Sequence, residues 1–261
     1  MFKKINLATY SSLKIGPIVD VFIINEIEKI ENTYIIGGCN NLLFSNNPPP
    51  LAMLGCEFDF IHIKDGRLHV GAATPSGKIL SFAKKNNLAD FEWMQKLPGT
   101  LGGMLKMNAG LKKWEICNTL LAIKTANGWV KKEDIAYAYR YTNIAETVFE
   151  ATFAIKEGFD YDALALFKKM RENQPQQPSA GSCFKNPPNA FAAKLLQDAQ
   201  LKGYRLGNMA FSEKHANFLV NLGGGSYEEA RKIIDIAKER VFAQSGIKLE
   251  LEIRIIDTIS D

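Results

Sequence analysis

"KLPGTLGGMLKMNAG", residues 96 to 110, decides how this chain is read. It carries Gly99, Gly102, Gly103 and Gly110. Glycines at that density leave backbone N–H groups exposed and let a ligand come close. Several N–H donors converging on one point favour a pyrophosphate. A second stretch of this kind, "IIGGCNNLL", occupies residues 35 to 43. Neither stretch is GxxxxGK[ST] and neither is GxGxxG, so a P-loop and a Rossmann dinucleotide site are not indicated. Taken alone, each reads as a tight turn. Two such stretches, each preceded by an apolar run, with Asn40, Asn41 and Asn108 adding side-chain donors and acceptors, point beyond turn formation.

Outward from the glycines, the chain alternates irregularly between strands and helices. "FDFIHI" and "RLHVGA" flank the turn "KDG" and predict a hairpin. "LLAIKTANGWVKK" predicts a second, with "NG" at its turn, and "ETVFEATFAIKEG" a further strand. "TPSGKILSFAKKNNL" predicts a helix with Thr74 as N-cap and Pro75 in its first position. The last third carries three helical patterns. They are "DYDALALFKKMRENQ", "NAFAAKLLQDAQLKG" with Gly203 as C-cap, and "SYEEARKIIDIAKERVFAQSG" with Ser226 and Glu229 in capping-box spacing and Gly246 at its end. "HANFLVNLG" and "IKLELEIRII" read as strands, whereas "PSAGSCFKNP" at 178 to 187 shows neither period and reads as a polar, glycine-hinged loop. The prolines of "NQPQQP" set a boundary near 172 to 178. Without regular strand–helix alternation, the class is α+β.

The gross numbers agree with an ordinary globular protein. The 261 residues are 46% hydrophobic and 23% charged, with 32 Lys plus Arg against 28 Asp plus Glu, a net charge of +4. That balance is too mild to argue for nucleic acid but suits a small anionic ligand. Cys39, Cys56, Cys117 and Cys183 show no metal-ligand spacing, so no metal site is expected. No signal peptide or apolar membrane span is read, and reduced cysteines suit a cytoplasmic location.

"IIGGCNNLL", "LPGTLGGMLKMNAG", "YAYR", "SAGSCFKNP", "LKGYRLGNMAFSEKHANFLVN" and "LELEIRII" follow one another in this order. Together they resemble the bacterial UDP-N-acetylenolpyruvoylglucosamine reductases, over about Thr9 to Ile256. The resemblance implies an FAD-binding fold of the vanillyl-alcohol-oxidase type in two N-terminal subdomains, residues 1–50 and 51–172, with a C-terminal α+β substrate domain at 173–261. By motif match, Gly37, Gly38, Cys39, Asn40, Asn41 and Leu42 line the flavin. So do Pro98, Gly99, Thr100, Gly102 and Gly103, and then Asn108, Ala109 and Gly110. The implied reaction passes hydride from NADPH through FAD to the enolpyruvyl double bond of a sugar nucleotide, a cytoplasmic step of peptidoglycan precursor synthesis. The implied protein is a monomer.

Reducing that double bond requires a proton at the neighbouring carbon and stabilisation of charge growing on the substrate carboxylate. Ser182 matches the family's proton donor, Arg140 the arginine that faces the carboxylate, and Glu252 a second general acid or polarising carboxylate. Each has a plainer alternative. The serine hydroxyl could satisfy its own loop, the arginine could form a surface ion pair, and Glu250 and Glu252 could share the solvated face of one strand. Lys185 and Asn186 match contacts to the sugar nucleotide. His215 matches a substrate-side position, with a ligand-free strand-end histidine an equal alternative. Cys183, next to Ser182, is expected to pack inward as a small hydrophobe.

This chain departs from the family at a few places. Cys39 stands where serine is common, "IGP" at 15 to 17 replaces a usual double glycine, and "NAGLKK" replaces an aromatic-glycine continuation. The stretch from Arg140 to Ser182 has no room for the inserted lid of the longer members, so the chain resembles the shorter subtype. Two rival readings are another FAD oxidoreductase of the same fold, acting on a small alcohol or sugar, and a non-catalytic nucleotide-binding protein. The "AGSCFKNP" segment argues against the first. The presence of Arg140, Ser182 and Glu252 argues against the second.

Overall fold

A computed structural model describes residues 1–258. By internal contacts the chain forms two compact units. One contains residues 1–3, 21–38 and 50–172, and the other residues 4–20, 39–49 and 173 onward.

In the first unit, strands Ile18–Ile24, Leu51–Leu54 and Tyr34–Ile35 run parallel, in that order. A five-stranded antiparallel sheet follows, ordered Gly128–Lys131, Leu120–Thr125, Glu150–Ala154, Arg67–Gly71, Ile61–Lys64. Both hairpins expected from the sequence are in it. The second is closed by Thr125 paired with Gly128, so its two loop residues are Ala126 and Asn127. Alternation sets which face is core: Leu68 and Val70 are fully buried while Arg67 is exposed. Helix Ser76–Lys85 lays Ile79, Leu80 and Ala83 into the same core.

Helix Ser76–Lys85 starts one residue later than its expected cap. Pro75 is the N-cap, and the buried Thr74 hydroxyl donates instead to the Phe60 carbonyl at 3.1 Å. A buried hydroxyl must find an acceptor, and the residue just before strand Ile61–Lys64 supplies one.

In the second unit, Ser179–Ser182, Phe218–Asn221, Met209–Phe211 and Arg205–Leu206 form an antiparallel sheet in that order. Helix Tyr227–Ser245 buries Ala230, Ile233, Ile234, Ala237 and Val241, a three-and-four spacing that keeps one face inward. Burying Ile233, Ile234 and Val241 contributes roughly 5–9 kcal/mol. The Ser226–Glu229 capping box is formed in both directions, and Gly246 ends the helix at φ +69° with its N–H on Phe242.

Three expectations change here. Residues 178–187 are not strand-free, because Ser179–Ser182 pairs with Phe218–Asn221 across a register shift, with Gly181 at φ +78°. The bulge hides the two-residue alternation from the sequence. "IKLELEIRII" is strand only at Arg254–Ile256, which runs parallel to Leu42–Phe44. Glu250 and Glu252 therefore do not share a regular strand face, and Leu251 makes a single bridge to Phe184. Helix Ala192–Asp198 ends at Ala199, and Gly203, at φ +76°, donates its N–H to Phe211 instead of capping.

Candidate active site

In the first unit the glycine-rich turn is stitched to the segment before helix Ser76–Lys85. Ser76 N–H donates to Gly99 O at 2.9 Å, Leu101 N–H to Thr74 O at 2.9 Å, and Gly102 N–H to Ala72 O at 2.8 Å. Gly99 sits at φ +110°, which favours glycine. A Cβ on Gly37 would come 2.4 Å from Thr100 Oγ1, so the two glycine-rich stretches meet there. A Cβ on Gly102 would lie 3.3 Å from Ala72 O, tighter than an ordinary contact.

Gly103 differs from these. It is exposed, lies in helix Leu101–Lys106, and its Cβ would meet only Thr100 Oγ1 at 3.8 Å. A helical glycine costs about 1 kcal/mol relative to alanine. Chain packing does not require it, so its smooth surface suits close approach by a bound group. With Gly99 beside it, this surface fits the pyrophosphate-bearing cofactor that the sequence motif implies.

Asn108 holds the loop together instead of offering its amide outward. It is fully buried at φ +44°. Its Nδ2 donates to Glu115 Oε2 at 2.8 Å and to Ala138 O at 3.0 Å, and its Oδ1 accepts from Cys117 N–H at 3.3 Å. Ala109 is buried beside it, and Pro98 is exposed at the start of the turn.

Arg140 stands at the tip of the two-residue hairpin between Tyr137–Ala138 and Tyr141–Thr142, at φ +56°. Its guanidinium donates to Gly110 O at 3.2 Å and lies 4.9 Å from the Tyr139 ring centre. A Cβ on Gly110 would come within 2.4 Å of Trp114 O, so that contact needs glycine.

In the second unit, residues distant in sequence converge. Asn217 does for Phe184 what a neighbouring strand would do. Phe184 N–H donates to Asn217 Oδ1 at 3.0 Å, Asn217 Nδ2 donates back to Phe184 O at 2.8 Å, and Cys183 N–H donates to Asn217 O at 2.7 Å. On the other side, Glu252 N–H donates to Cys183 O at 2.9 Å and Lys185 N–H to Glu250 O at 2.9 Å. Asn41 Nδ2 donates to Glu252 O at 2.9 Å, and Asn41 O accepts from Arg254 N–H at 2.9 Å. Ser182, Lys185, Asn41 and Glu252 are thereby tied into one small region.

The side chains there have distinct settings. Ser182 is half-buried at the end of its strand, while Cys183 is fully buried. Burial pushes the Cys183 thiol pKa well up. Lys185 ion-pairs with the exposed Glu250 at 3.3 Å, a contact weak enough in water to be exchanged for a ligand. Asn186 Oδ1 accepts the Ala192 N–H at 3.0 Å, fixing the start of helix Ala192–Asp198. His215 Nδ1 faces the Asn217 N–H at 3.3 Å, and burial, ahead of the nearby Lys202, holds its pKa below the usual value. The histidine is thus disposed to be neutral, with its proton on Nε2. Cys39 lies at φ +49° and is buried, its thiol pushed up to about 12 by burial. Its carbonyl, not its sulfur, accepts from Ser12 N–H at 3.2 Å.

Asn217 and Arg171 were not singled out from the sequence. Each is a polar residue buried by folding, and nothing in its local sequence marks that. Among the described residues no group of three His, Cys, Asp or Glu is placed to hold a metal ion. No helix among them is long and apolar enough to cross a membrane.

Comparison with known proteins adds to this geometry. Residues 174–256 match the family model described as UDP-N-acetylenolpyruvoylglucosamine reductase, C-terminal domain. A Helicobacter hepaticus protein of that name is 44% identical over 97% of this chain and 98% of its own. A Campylobacter jejuni relative of the same name is 43% identical over 97% and 99%. The crystal structure of UDP-N-acetylenolpyruvylglucosamine reductase from Thermus caldophilus superposes with a TM-score of 0.86 at 25% identity, covering 98% of this chain and 99% of that one.

Proposed function

The chain belongs to the UDP-N-acetylenolpyruvoylglucosamine reductase family, and we propose that it reduces UDP-N-acetylglucosamine enolpyruvate to UDP-N-acetylmuramate with FAD and NADPH. It is an oxidoreductase of peptidoglycan precursor synthesis. The observation that carries the reading is the 44% identity across nearly the full length of both chains. The flavin is assigned to segments 1–50 and 51–172 and the sugar nucleotide to 173–261. The expected setting is a monomer in the cytoplasm.

When bound, the flavin supplies hydride chemistry, accepting from NADPH and delivering to the substrate. The chain's own groups do the rest. Arg140 binds the substrate carboxylate, where a permanently charged, planar guanidinium can donate two parallel hydrogen bonds. It offsets the negative charge that grows there as the double bond is reduced. Ser182 delivers the proton from its hydroxyl to the carbon that bears the carboxylate, the neighbour of the methylene carbon that takes the hydride. Among the described residues no side-chain hydrogen bond diverts the Ser182 hydroxyl, which favours this role over loop stitching. Glu252 polarises or reprotonates the reacting centre. Lys185 and Asn186 bind the sugar nucleotide, with the ammonium answering phosphate charge, and His215 lies on the same side. Gly99, Thr100 and Gly103 offer backbone to the flavin pyrophosphate. Asn108 and Gly110 support that surface from behind.

The test is NADPH oxidation by the purified, flavin-loaded protein with and without UDP-N-acetylglucosamine enolpyruvate. Oxidation that depends on this substrate, and falls by orders of magnitude in Ser182→Ala with flavin retained, is the expected result. A flavoprotein that ignores the substrate would overturn the assignment.

A further inference from the structure

The helix Tyr161–Met170 ends at Arg171, whose own N–H donates to Lys168 O at 3.2 Å. Arg171 is only 8% exposed. Its Nη2 donates to Trp93 O at 3.0 Å, while its Nε is buried with no hydrogen-bond partner among the described residues. A guanidinium carries five N–H donors and keeps its charge in proteins. Here that charge is out of water, with a helix C-terminus and one carbonyl to offset it. Among the described residues no ion pair joins it to a carboxylate.

The charged group that acts on it is another guanidinium. Burial and, second, repulsion from Arg140 hold the Arg171 pKa below its usual value. The geometry explains the coupling. Arg140 is anchored on Gly110 O and Arg171 on Trp93 O, and the turn Glu92–Met94 packs against both Gly110–Leu111 and the helix Tyr161–Met170. A buried guanidinium with a donor left over is costly unless negative charge comes near it.

Resting on the function proposed above, we infer that Arg171 is a positioning residue for the substrate carboxylate: fixed on the Trp93 carbonyl, it adds a second positive charge behind Arg140 and so selects ligands that carry the carboxylate. The shared chemistry is an anion bound by two guanidinium groups, one in contact and one acting through it. UDP-N-acetylglucosamine, which lacks the enolpyruvyl carboxylate, gains nothing from this arrangement.

The experiment measures calorimetric affinities of the flavin-loaded protein for UDP-N-acetylglucosamine enolpyruvate and for UDP-N-acetylglucosamine. It compares wild type, Arg171→Gln and Arg171→Lys. In Arg171→Gln the enolpyruvyl ligand is expected to bind about tenfold more weakly or worse, with UDP-N-acetylglucosamine within about twofold of wild type. Arg171→Lys is expected to recover most of the loss, because it keeps the charge. Should the glutamine variant not fold, Arg171→Met, which also removes the charge, is measured in its place. A loss confined to the carboxylate ligand and steepening with salt supports the role. In the variant that removes the charge, equal losses for both ligands, or no loss for either, overturns it and leaves Arg171 a structural cap. A wild type that turns over the substrate while the variants keep the ligand ratio refutes only this inference. A wild type that does not turn it over refutes the function.

Discussion

Replacing Asn217 with alanine tests how the Ser182 region is held. The change removes two hydrogen bonds, Asn217 Nδ2 to Phe184 O at 2.8 Å and Phe184 N–H to Asn217 Oδ1 at 3.0 Å. Phe184 is fully buried, so water cannot take over from the lost amide. A buried backbone donor or acceptor left without a partner costs about 1–3 kcal/mol. Two of them give a loss of about 4 kcal/mol, equivalent to roughly 8–16 °C in Tm for a chain of this size. Trp93, Trp114 and Trp129 all lie in the first unit, so tryptophan fluorescence does not report on this site. Far-UV circular dichroism with urea, supported by hydrogen exchange at Cys183 and Phe184, is the right readout. Asn217→Asp keeps the acceptor for Phe184 N–H but sets a charge against Phe184 O, and is expected to be at least as damaging. Turnover should fall with stability even at temperatures where the variant is folded, because Ser182 precedes the unlocked segment. A destabilisation below about 1 kcal/mol, or full turnover in a folded variant, would refute the reasoning.

Other outcomes follow from the same geometry. Gly103→Ala is expected to leave the apoprotein as stable or up to about 1 kcal/mol more stable while weakening FAD binding. Gly37→Ala, whose Cβ would lie 2.4 Å from Thr100 Oγ1, is expected to lower apoprotein stability as well, with partial rescue by Thr100→Ala. Calorimetric melting and flavin titration separate the two, and equal behaviour would count against the assignment of Gly103. Ellman's reagent at pH 8 should label Cys56 quickly and the other three cysteines slowly, since Cys56 is exposed and burial raises the thiols of Cys39 to about 12 and Cys117 to about 11. Rapid labelling of two or more thiols in the folded protein would contradict that burial. For His215 the folded pKa lies below the ordinary value of 6.5, so the unfolded chain binds the proton more readily. Its stabilising effect is present above pH 6.5 and is lost as the pH falls from there through the folded pKa. The stability difference between wild type and His215→Gln should therefore shrink over that window in pH-dependent urea melts, and a pH-independent difference would rule out the shift.

What the sequence determined by itself was whatever a short stretch can enforce. Ser226, Glu229 and Gly246 both start and stop their helix, because capping involves neighbours three or four residues apart. The "KDG" and "NG" hairpins, the alternating strand Arg67–Gly71 and the inward Cys183 were legible for the same reason. The order of motifs across the whole chain identified the family. The tertiary structure decided the contacts made over long separations. Asn41 reaches Glu252 across 211 residues, and Phe184 takes its missing strand partner from an asparagine side chain 33 residues away. A bulge at Gly181 concealed a strand, and a bend replaced the regular face expected for Glu250 and Glu252. Nothing local marks Arg171, which folding buries and anchors on the Trp93 carbonyl. Burial of a polar group, and hence its cost and its need for a partner, depends on what packs over it, and no local pattern of residues encodes that.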